Sequence, residues 1–211
     1  MSNNLYEQEE SIKVILLGNS GVGKTQIINR FNNKQFMDND LCTYTSSFIT
    51  RAIEVNGQNK NLDVWDTAGQ EKFRSVGKLF VKNAQIIILV YDTTSKKSFE
   101  DLNFWNDFIQ KELGQKITLG LAGNKTDLFT KEEVTKDEGK EYAKKWGAVF
   151  SLLSAKEDKP GIDLFFTEMV KKYLENETGG SNNEEKKKQL KINNDNNNIK
   201  NKKTNCCGGS K

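Results

Sequence analysis

The sequence predicts an α/β protein with three layers, in which helices cover both faces of a mostly parallel β-sheet. Short apolar runs alternate with amphipathic segments up to about residue 176, which is the pattern of strands that alternate with helices. Residues 85–91 are almost entirely apolar, as is typical of a central parallel strand. The turn signal Asn56-Gly57 between two further runs indicates one antiparallel hairpin.

The elements follow in order along the chain. Strands are predicted at residues 12–17, 48–55, 61–65, 85–91, 117–123 and 148–153, and helices at 26–31, from Ser98 onward, at 135–146 and at 161–174. In the second helix Ser98 is the predicted N-cap, because serine accepts hydrogen bonds from a first helical turn. Apolar residues then recur at helical spacing and are interpreted as core, namely Phe99, Leu102, Trp105, Phe108 and Ile109.

Composition suggests one domain, residues 11–176, between a flexible start at residues 1–10 and a tail at 177–211. The tail is rich in asparagine and lysine and cannot bury enough apolar surface to fold alone. Its eight lysines and four acidic residues give it a net charge of +4, which leaves −1 for residues 1–176. A near-neutral domain does not suggest nucleic-acid binding.

Other functional classes are excluded or disfavoured by residue usage. The chain has no histidine, which excludes histidine metal ligands and histidine acid–base catalysis. Three cysteines do not form a disulfide framework. The first ten residues are polar and acidic, unlike a secretory signal, and no apolar run approaches the roughly 20 residues that span a bilayer. We therefore expect a cytosolic protein.

The strongest motif is Gly18-Asn19-Ser20-Gly21-Val22-Gly23-Lys24-Thr25, which lies between a predicted strand and a predicted helix. It fits the phosphate-loop pattern, in which glycines let backbone amides surround an anion at a helix N-terminus. Lys24 would contact the outer phosphates, and the Thr25 hydroxyl would bind Mg²⁺. A glycine-rich turn without a ligand would not require Lys-Thr in this register.

A second motif, Asp66-Thr67-Ala68-Gly69-Gln70, follows the strand predicted at 61–65. Asp66 can hold Mg²⁺, usually through a water molecule. Gly69 permits close approach of the backbone to a terminal phosphate, and Gln70 can orient a water for in-line attack. Lys24, Gly69 and Gln70 are therefore the candidate catalytic residues.

A third motif, Asn124-Lys125-Thr126-Asp127, follows the strand predicted at 117–123. Guanine presents two adjacent N–H donors that one carboxylate can accept together, and adenine does not, so Asp127 would select guanine. The stem of Lys125 could cover the face of the base. A backbone amide of Ser154-Ala155-Lys156, after the strand predicted at 148–153, could reach the guanine carbonyl. In the loop at 32–46, Thr43 is a candidate second hydroxyl ligand for Mg²⁺, and Phe36 could stack on the base.

In this order the motifs resemble those of the small GTPases of the Ras superfamily. Within it, residues 65–75 (WDTAGQEKFRS) and residues 89–94 (LVYDTT) resemble the Rab family. The resemblance implies a P-loop GTPase fold with a six-stranded sheet, one antiparallel strand and five helices. It also implies a monomeric switch that binds GTP or GDP with Mg²⁺ and hydrolyses GTP slowly.

The resemblance further implies roles for individual residues and for partners. It makes Thr43 the switch threonine and Phe36 the base-stacking aromatic, and it places Ser20 against the terminal phosphate. Phe48, Trp65 and Phe80 match the aromatic trio that contacts partners. The implied partners are an exchange factor, a GTPase-activating protein, effectors, a prenyl-escort protein and a GDP-dissociation inhibitor.

The tail ends in Cys206-Cys207 with four residues after the pair, so it is not a C-a-a-X box. The tandem resembles the Rab signal for two geranylgeranyl groups, which give a stable anchor where one lipid gives a marginal one. The resemblance thus implies the cytoplasmic face of an intracellular or plasma membrane, in exchange with the cytosol. The alternative is a pair of free or oxidised thiols.

Departures from the family pattern leave a second function open. Residues 44–48 are YTSSF where Rab proteins typically have Ile-Gly-Val-Asp-Phe, and residues 76–84 also differ. A nucleotide-locked interaction module that binds GTP or GDP with little hydrolysis is therefore an alternative, although Gln70 argues against it. A P-loop kinase would need an arginine-bearing lid, and the three arginines (Arg30, Arg51 and Arg74) do not suggest one.

Overall fold

The computed structural model describes residues 11–37, 47–67, 81–113 and 117–178. The chain divides into two compact units, Met1–Tyr173 and Leu174–Lys211. The first unit holds the β-sheet and all the described residues of the predicted site. In the second unit residues 174–178 are helical. Within the described ranges, no helix combines the length and the apolar character needed to cross a membrane.

One six-stranded sheet forms the centre of the first unit. Its strands are β1 (Ile12–Leu17), β2 (Ser47–Val55), β3 (Gln58–Asp66), β4 (Ile86–Asp92), β5 (Thr118–Asn124) and β6 (Val149–Leu152). They lie in the order β2-β3-β1-β4-β5-β6. The β2–β3 pair is antiparallel and every other neighbouring pair is parallel, so the predicted fold class is confirmed.

Helices follow the strands along the chain. They are α1 (Lys24–Phe31), α2 (Lys96–Glu100), α3 (Leu102–Leu113), a 3₁₀ helix η1 (Thr126–Lys131), α4 (Lys136–Trp146) and α5 (159–178). Helix α4 begins with a capping box in which Thr135 and Glu138 satisfy each other's backbone amides.

Apolar side chains cover both faces of the sheet, as the alternation of strand residues requires. Ile15 of β1 and Ile87 of β4 belong to a buried cluster with Phe99, Leu102 and Ile109 from α2 and α3. The core interpretation of these three helix residues is therefore confirmed, while Trp105 and Phe108 lie half-buried against the cluster.

Helices α1 and α5 pack together on the opposite face. Phe31 of α1 stacks on Phe166 of α5, with ring centroids 3.9 Å apart. A Cβ atom added to Gly120 of β5 would lie 2.7 Å from the sulfur of Met169. The sheet is thus buried between two helical layers, in agreement with the three-layer prediction.

The hairpin lies where Asn56-Gly57 predicts it. Val55 pairs with Gln58, and the two turn residues both have positive φ, 55° for Asn56 and 76° for Gly57. Such a two-residue turn matches the right-handed twist of the strands it joins. Strand β3 begins three residues before its predicted start, because the polar residues 58–60 also pair, and β2 begins one residue early, at Ser47.

The prediction that Ser98 caps a helix is wrong. Helix α2 begins at Lys96, and its N-cap is Ser95, whose hydroxyl accepts a hydrogen bond from the Ser98 amide. Ser98 is buried inside the helix, where its hydroxyl donates to the Ser95 carbonyl and accepts from the Asp92 amide. Two serines three residues apart both fit the cap pattern, and the sequence did not distinguish them.

The strand order places the predicted motifs at one edge of the sheet. After β1 the chain continues to the β2–β3 side, and after β3 it returns to β4 on the other side. Open α/β sheets bind ligands where the strand order reverses in this way, at the carboxyl ends of the strands. The ends of β1, β3, β4 and β5 therefore frame the candidate site.

Candidate nucleotide-binding site

The phosphate loop connects β1 to α1 and ends at the first turn of that helix. Gly23 is the N-cap residue in a left-handed conformation, with φ of 94°. Gly23 has no side chain that could cap this turn, so the positive end of the helix faces the loop. Ser20 and Gly21 form its exposed part, and Val22 is buried. This arrangement suits an anion.

Lys24 lies inside the loop and is only 5% exposed. Its Nζ donates hydrogen bonds to the carbonyls of Gly18 (2.9 Å) and Asn19 (2.8 Å). These bonds orient the ammonium group before any ligand arrives, and they place a positive charge where the loop would hold phosphates. The side-chain amide of Asn19 in turn donates to Asp101 Oδ2 at 2.7 Å, which ties the loop to the residue before α3.

Thr25 and Asp66 meet beside the loop because β3 is the parallel neighbour of β1. The Thr25 hydroxyl donates to Asp66 Oδ2 at 2.7 Å, and Asp66 is 2% exposed. A hydroxyl and a carboxylate are oxygen donors of the kind that Mg²⁺ prefers. The donor chemistry therefore fits the predicted magnesium site.

Asn124 joins the phosphate side of the site to the base side. Its side chain is 1% exposed. The amide donates to the Val22 carbonyl at 2.8 Å, and the amide oxygen accepts from the Ala155 backbone N–H at 3.1 Å. In these contacts Asn124 bridges three loops, which is a positioning role that its sequence motif did not indicate.

Asp127 lies in the first turn of η1, where Ser154 orients it. The Ser154 hydroxyl donates to Asp127 Oδ1 at 2.7 Å and also accepts from the Glu157 amide at 3.0 Å. Ser154 is buried, whereas Asp127 is partly exposed. Ser154 thus holds the Asp127 carboxylate in a partly exposed position, where it could accept hydrogen bonds from a ligand.

Lys125 precedes Asp127 and has a left-handed backbone, with φ of 70°. Its Nζ lies 2.6 Å from Asp92 Oδ2 at the end of β4. Across the site, Lys156 is exposed and its Nζ lies 5.9 Å from the centroid of the half-buried Phe36 ring. Phe36 is thereby close to the Lys156 ammonium group, and its base-stacking role stays a prediction.

The predicted partner surface is described in part. Phe48 and Trp65 pair across β2 and β3 and stack with ring centroids 5.0 Å apart. Phe48 is 57% exposed. The Lys13 ammonium lies 5.0 Å from the Trp65 ring, and burial lowers the pKa of Lys13 below its usual range. Trp65 is half-buried against the core cluster, so Phe48 is the exposed member of an aromatic pair, and aromatic residues are enriched at interaction surfaces.

Several predicted residues lie outside the described ranges. They are Thr43, Gly69, Gln70, Phe80, Cys206 and Cys207. Conversely, sequence reasoning missed the pairs Asn19–Asp101 and Lys125–Asp92, in which an acidic residue far along the chain orients a motif residue. Neither aspartate belongs to a motif that would mark it as part of the site, although Asp92 lies at the end of a strand.

Comparison with known proteins places these motifs in a family. The sequence model of the Ras family matches residues 13–175. The chain is 38% identical to the mouse Ras-related protein Rab-21 over 165 residues, which cover 78% of this chain and 74% of the relative. It is 38% identical to Ras-related protein Rab-2B of Dictyostelium discoideum over 174 residues, 81% of this chain and 86% of the relative.

A third relative, the rat Ras-related protein Rab-26, is 37% identical over 169 residues, which cover 80% of this chain and 65% of the relative. The phosphate loop, the Asp66 strand end and the Asn124–Asp127 loop all lie within the residues that the family model matches. The chain therefore belongs to the Ras family and, within it, to the Rab-type small GTPases, which are GTP-binding regulatory proteins.

Proposed function

We propose that this protein is a GDP/GTP switch that hydrolyses GTP slowly and regulates vesicle traffic from the cytoplasmic face of a membrane. The observation that carries the proposal is the set of contacts through Asn124, which joins the phosphate loop at Val22 to the base-side loop at Ala155. One ligand with phosphates at one end and a base at the other would contact all these loops.

Guanine selectivity is assigned to Asp127. A carboxylate held by Ser154 at 2.7 Å can accept from the two adjacent N–H groups of guanine, and adenine would leave it unpaired. Analysis of the nucleotide released from the purified protein tests this assignment. We expect GDP or GTP, and a predominance of ATP or ADP would contradict it.

Phosphate recognition is assigned to the loop amides, Lys24, Ser20 and the Thr25–Asp66 pair. Mg²⁺ bound there would offset charge on the phosphate oxygens. Thr43 and Gly69 would contact the γ-phosphate side of the ligand, and Gln70 would orient the attacking water. Loss of the γ-phosphate would remove these contacts, which is the proposed basis of switching.

We expect slow turnover because the arginines of the chain do not suggest a built-in arginine finger. Arg51 pairs with Asp163 at 2.7 Å, and Arg30 donates to the Lys34 carbonyl at 3.4 Å. Both are engaged away from the phosphate loop, and Arg74 lies outside the described residues. A partner that supplies an arginine would accelerate hydrolysis by roughly 10³–10⁵.

Single-turnover hydrolysis tests the switch against a nucleotide-locked module. We expect a slow basal rate that an activating protein raises, and we expect Gln70→Leu to abolish most of that gain. A wild-type rate that no activating protein changes would favour the locked module. If Gln70→Leu responds to the activator like the wild type, the role of Gln70 is wrong.

A further inference from the structure

The feature that the proposed function leaves unexplained is the buried carboxylate of Asp92. Asp92 ends β4, is 8% exposed and lies 2.6 Å from the Lys125 ammonium through Oδ2. Its other oxygen, Oδ1, accepts from the Thr94 amide at 2.8 Å and from the Thr94 hydroxyl at 2.7 Å. The two Thr94 bonds fix the side chain, so Oδ2 is directed at Lys125.

Backbone contacts already attach the Lys125 loop to β4. Thr93 donates to the Asn124 carbonyl through its amide at 3.0 Å and through its hydroxyl at 3.1 Å. Asp92 and Asn124 are also register partners in the parallel sheet. Because these bonds determine the path of the main chain, what the ion pair adds is the direction of the Lys125 side chain.

The conformation of Lys125 supports a role in binding. A left-handed backbone, here φ 70° and ψ 33°, is strained for a residue with a side chain, and such strain concentrates at ligand sites. This conformation places Lys125 as the N-cap of η1, two residues before Asp127. The same loop thus presents the Lys125 stem, which is held through its ammonium group, and the Asp127 carboxylate, which would contact the edge of the base.

We propose that Asp92 is a positioning residue of the nucleotide site, which holds the Lys125 ammonium so that the methylene stem covers the face of the guanine base. The inference rests on the proposed function, because it needs a guanine nucleotide bound against the Lys125 stem. Asp92 itself touches no ligand in this scheme. Its effect on binding passes through Lys125 alone.

The test measures how fast a fluorescent GDP leaves the full-length protein. Asp92→Asn retains an oxygen that can accept from Thr94 but removes the charge that holds Lys125. We expect its dissociation rate to rise about tenfold, equivalent to about 1.4 kcal/mol. Asp163→Asn is the matched control, since it removes a carboxylate paired with Arg51 at 2.7 Å and not with a residue of the site. We expect this control to release GDP like the wild type.

A double-mutant cycle separates positioning from a merely structural role. In a Lys125→Met background, we expect Asp92→Asn to change the dissociation rate less than about twofold. We also expect Asp92→Asn to weaken the binding of GDP and the binding of inosine diphosphate by the same factor, because the Lys125 stem covers a ring face that both bases share. Asp127→Asn should instead change the ratio of the two affinities, since inosine lacks the exocyclic amine.

Each outcome decides one point. An unchanged rate in Asp92→Asn, or a full effect that persists without Lys125, would overturn the positioning role while the proposed function stands. If Asp92→Asn changed the ratio of the affinities for GDP and inosine diphosphate, Asp92 would act through the edge of the base, and this result would also overturn the positioning role. If the wild type retains no guanine nucleotide, the proposed function is wrong and this inference falls with it.

Discussion

At the scale of single residues, the site depends on specific side-chain contacts, many of which join residues far apart in the sequence. Spacing predicted Lys24, Asp66 and Asp127 because each belongs to a motif whose residue types have a direct chemical reason. Ser154 was predicted only through a backbone amide, and its hydroxyl bond to Asp127 was missed. That bond joins residues 27 positions apart and depends on how two loops pack, which no local pattern contains.

Gly23 provides a residue-scale prediction. Its φ of 94° is a left-handed conformation, and a Cβ added there would collide with the Asn124 amide nitrogen that donates to Val22. We expect Gly23→Ala to weaken GDP binding by more than about tenfold, because the change displaces the bridge between the loops. Titration of fluorescent GDP measures this effect.

Gly57→Ala is the matched control for Gly23→Ala. Gly57 also has a positive φ, 76°, but a Cβ there would meet nothing within 4 Å, and the residue lies in the hairpin turn. We expect it to lower the free energy of unfolding by about 1–2 kcal/mol and to leave GDP binding unchanged. Equal binding losses in both variants would show that backbone strain, and not the Asn124 contact, causes the effect.

At the scale of elements, sequence periodicity was most reliable for the buried strands. Every residue of β4 is buried, and such a run has few alternatives to a central strand. The ends of helices were harder to predict. At the start of α2, for example, both Ser95 and Ser98 are suitable N-cap residues within one turn. The cap of α4 at Thr135 is reinforced by Glu138, which also pairs with Lys96 of α2.

Glu138 supports an element-scale prediction about pH. The hydrogen bond from Lys96, with further bonds from Thr135, lowers the pKa of Glu138 from 4.5 to about 2. A carboxyl group with a lowered pKa stabilises the folded state above its unfolded pKa, and this contribution is lost as the pH falls through the folded value. We therefore expect Glu138→Gln to reduce the melting temperature at pH 7 and the difference from wild type to shrink between pH 4.5 and pH 2.

Thermal melting of both proteins across this pH range checks the expectation. The same contacts with Glu138 raise the pKa of Lys96 above 10.5, so the pair's contribution should persist from about pH 5 to pH 10. Glu141→Gln, an exposed change on the same helix, controls for loss of charge alone. A difference between Glu138→Gln and wild type that stays constant down to the lowest pH would contradict the assignment.

At the scale of the whole molecule, topology explains why residues far apart in sequence form one site. Val22 and Asn124 are 102 positions apart, yet they meet because β1 and β5 flank β4 and end at the same edge of the sheet. The sequence predicted this meeting through the rule for parallel strands. It could not predict which side chain would make the bridge, since that depends on side-chain packing within the edge.

The charge distribution of the full chain and the cysteines near its end both bear on attachment to a membrane. Residues 1–176 carry a net charge of −1 and residues 177–211 a net charge of +4, so attraction to an anionic membrane would come from the tail. Tail lysines near such a surface would contribute about 1 kcal/mol each. Electrostatic attraction of this size is reversible, and lasting attachment would require the lipids that the resemblance to Rab proteins implies at Cys206 and Cys207.

The final prediction concerns the partition of the full chain between membrane and cytosol in eukaryotic cells. One lipid gives marginal binding and two give a stable anchor, so we expect Cys206→Ser and Cys207→Ser each to shift the protein toward the cytosolic fraction. The double variant should be almost entirely cytosolic, and Cys42→Ser should behave like the wild type. Intact mass of the wild type should show two added geranylgeranyl groups. A double variant that sediments with membranes like the wild type, or an unmodified wild-type mass, would contradict the lipid anchor that the resemblance to Rab proteins implies and leave the nucleotide site unaffected.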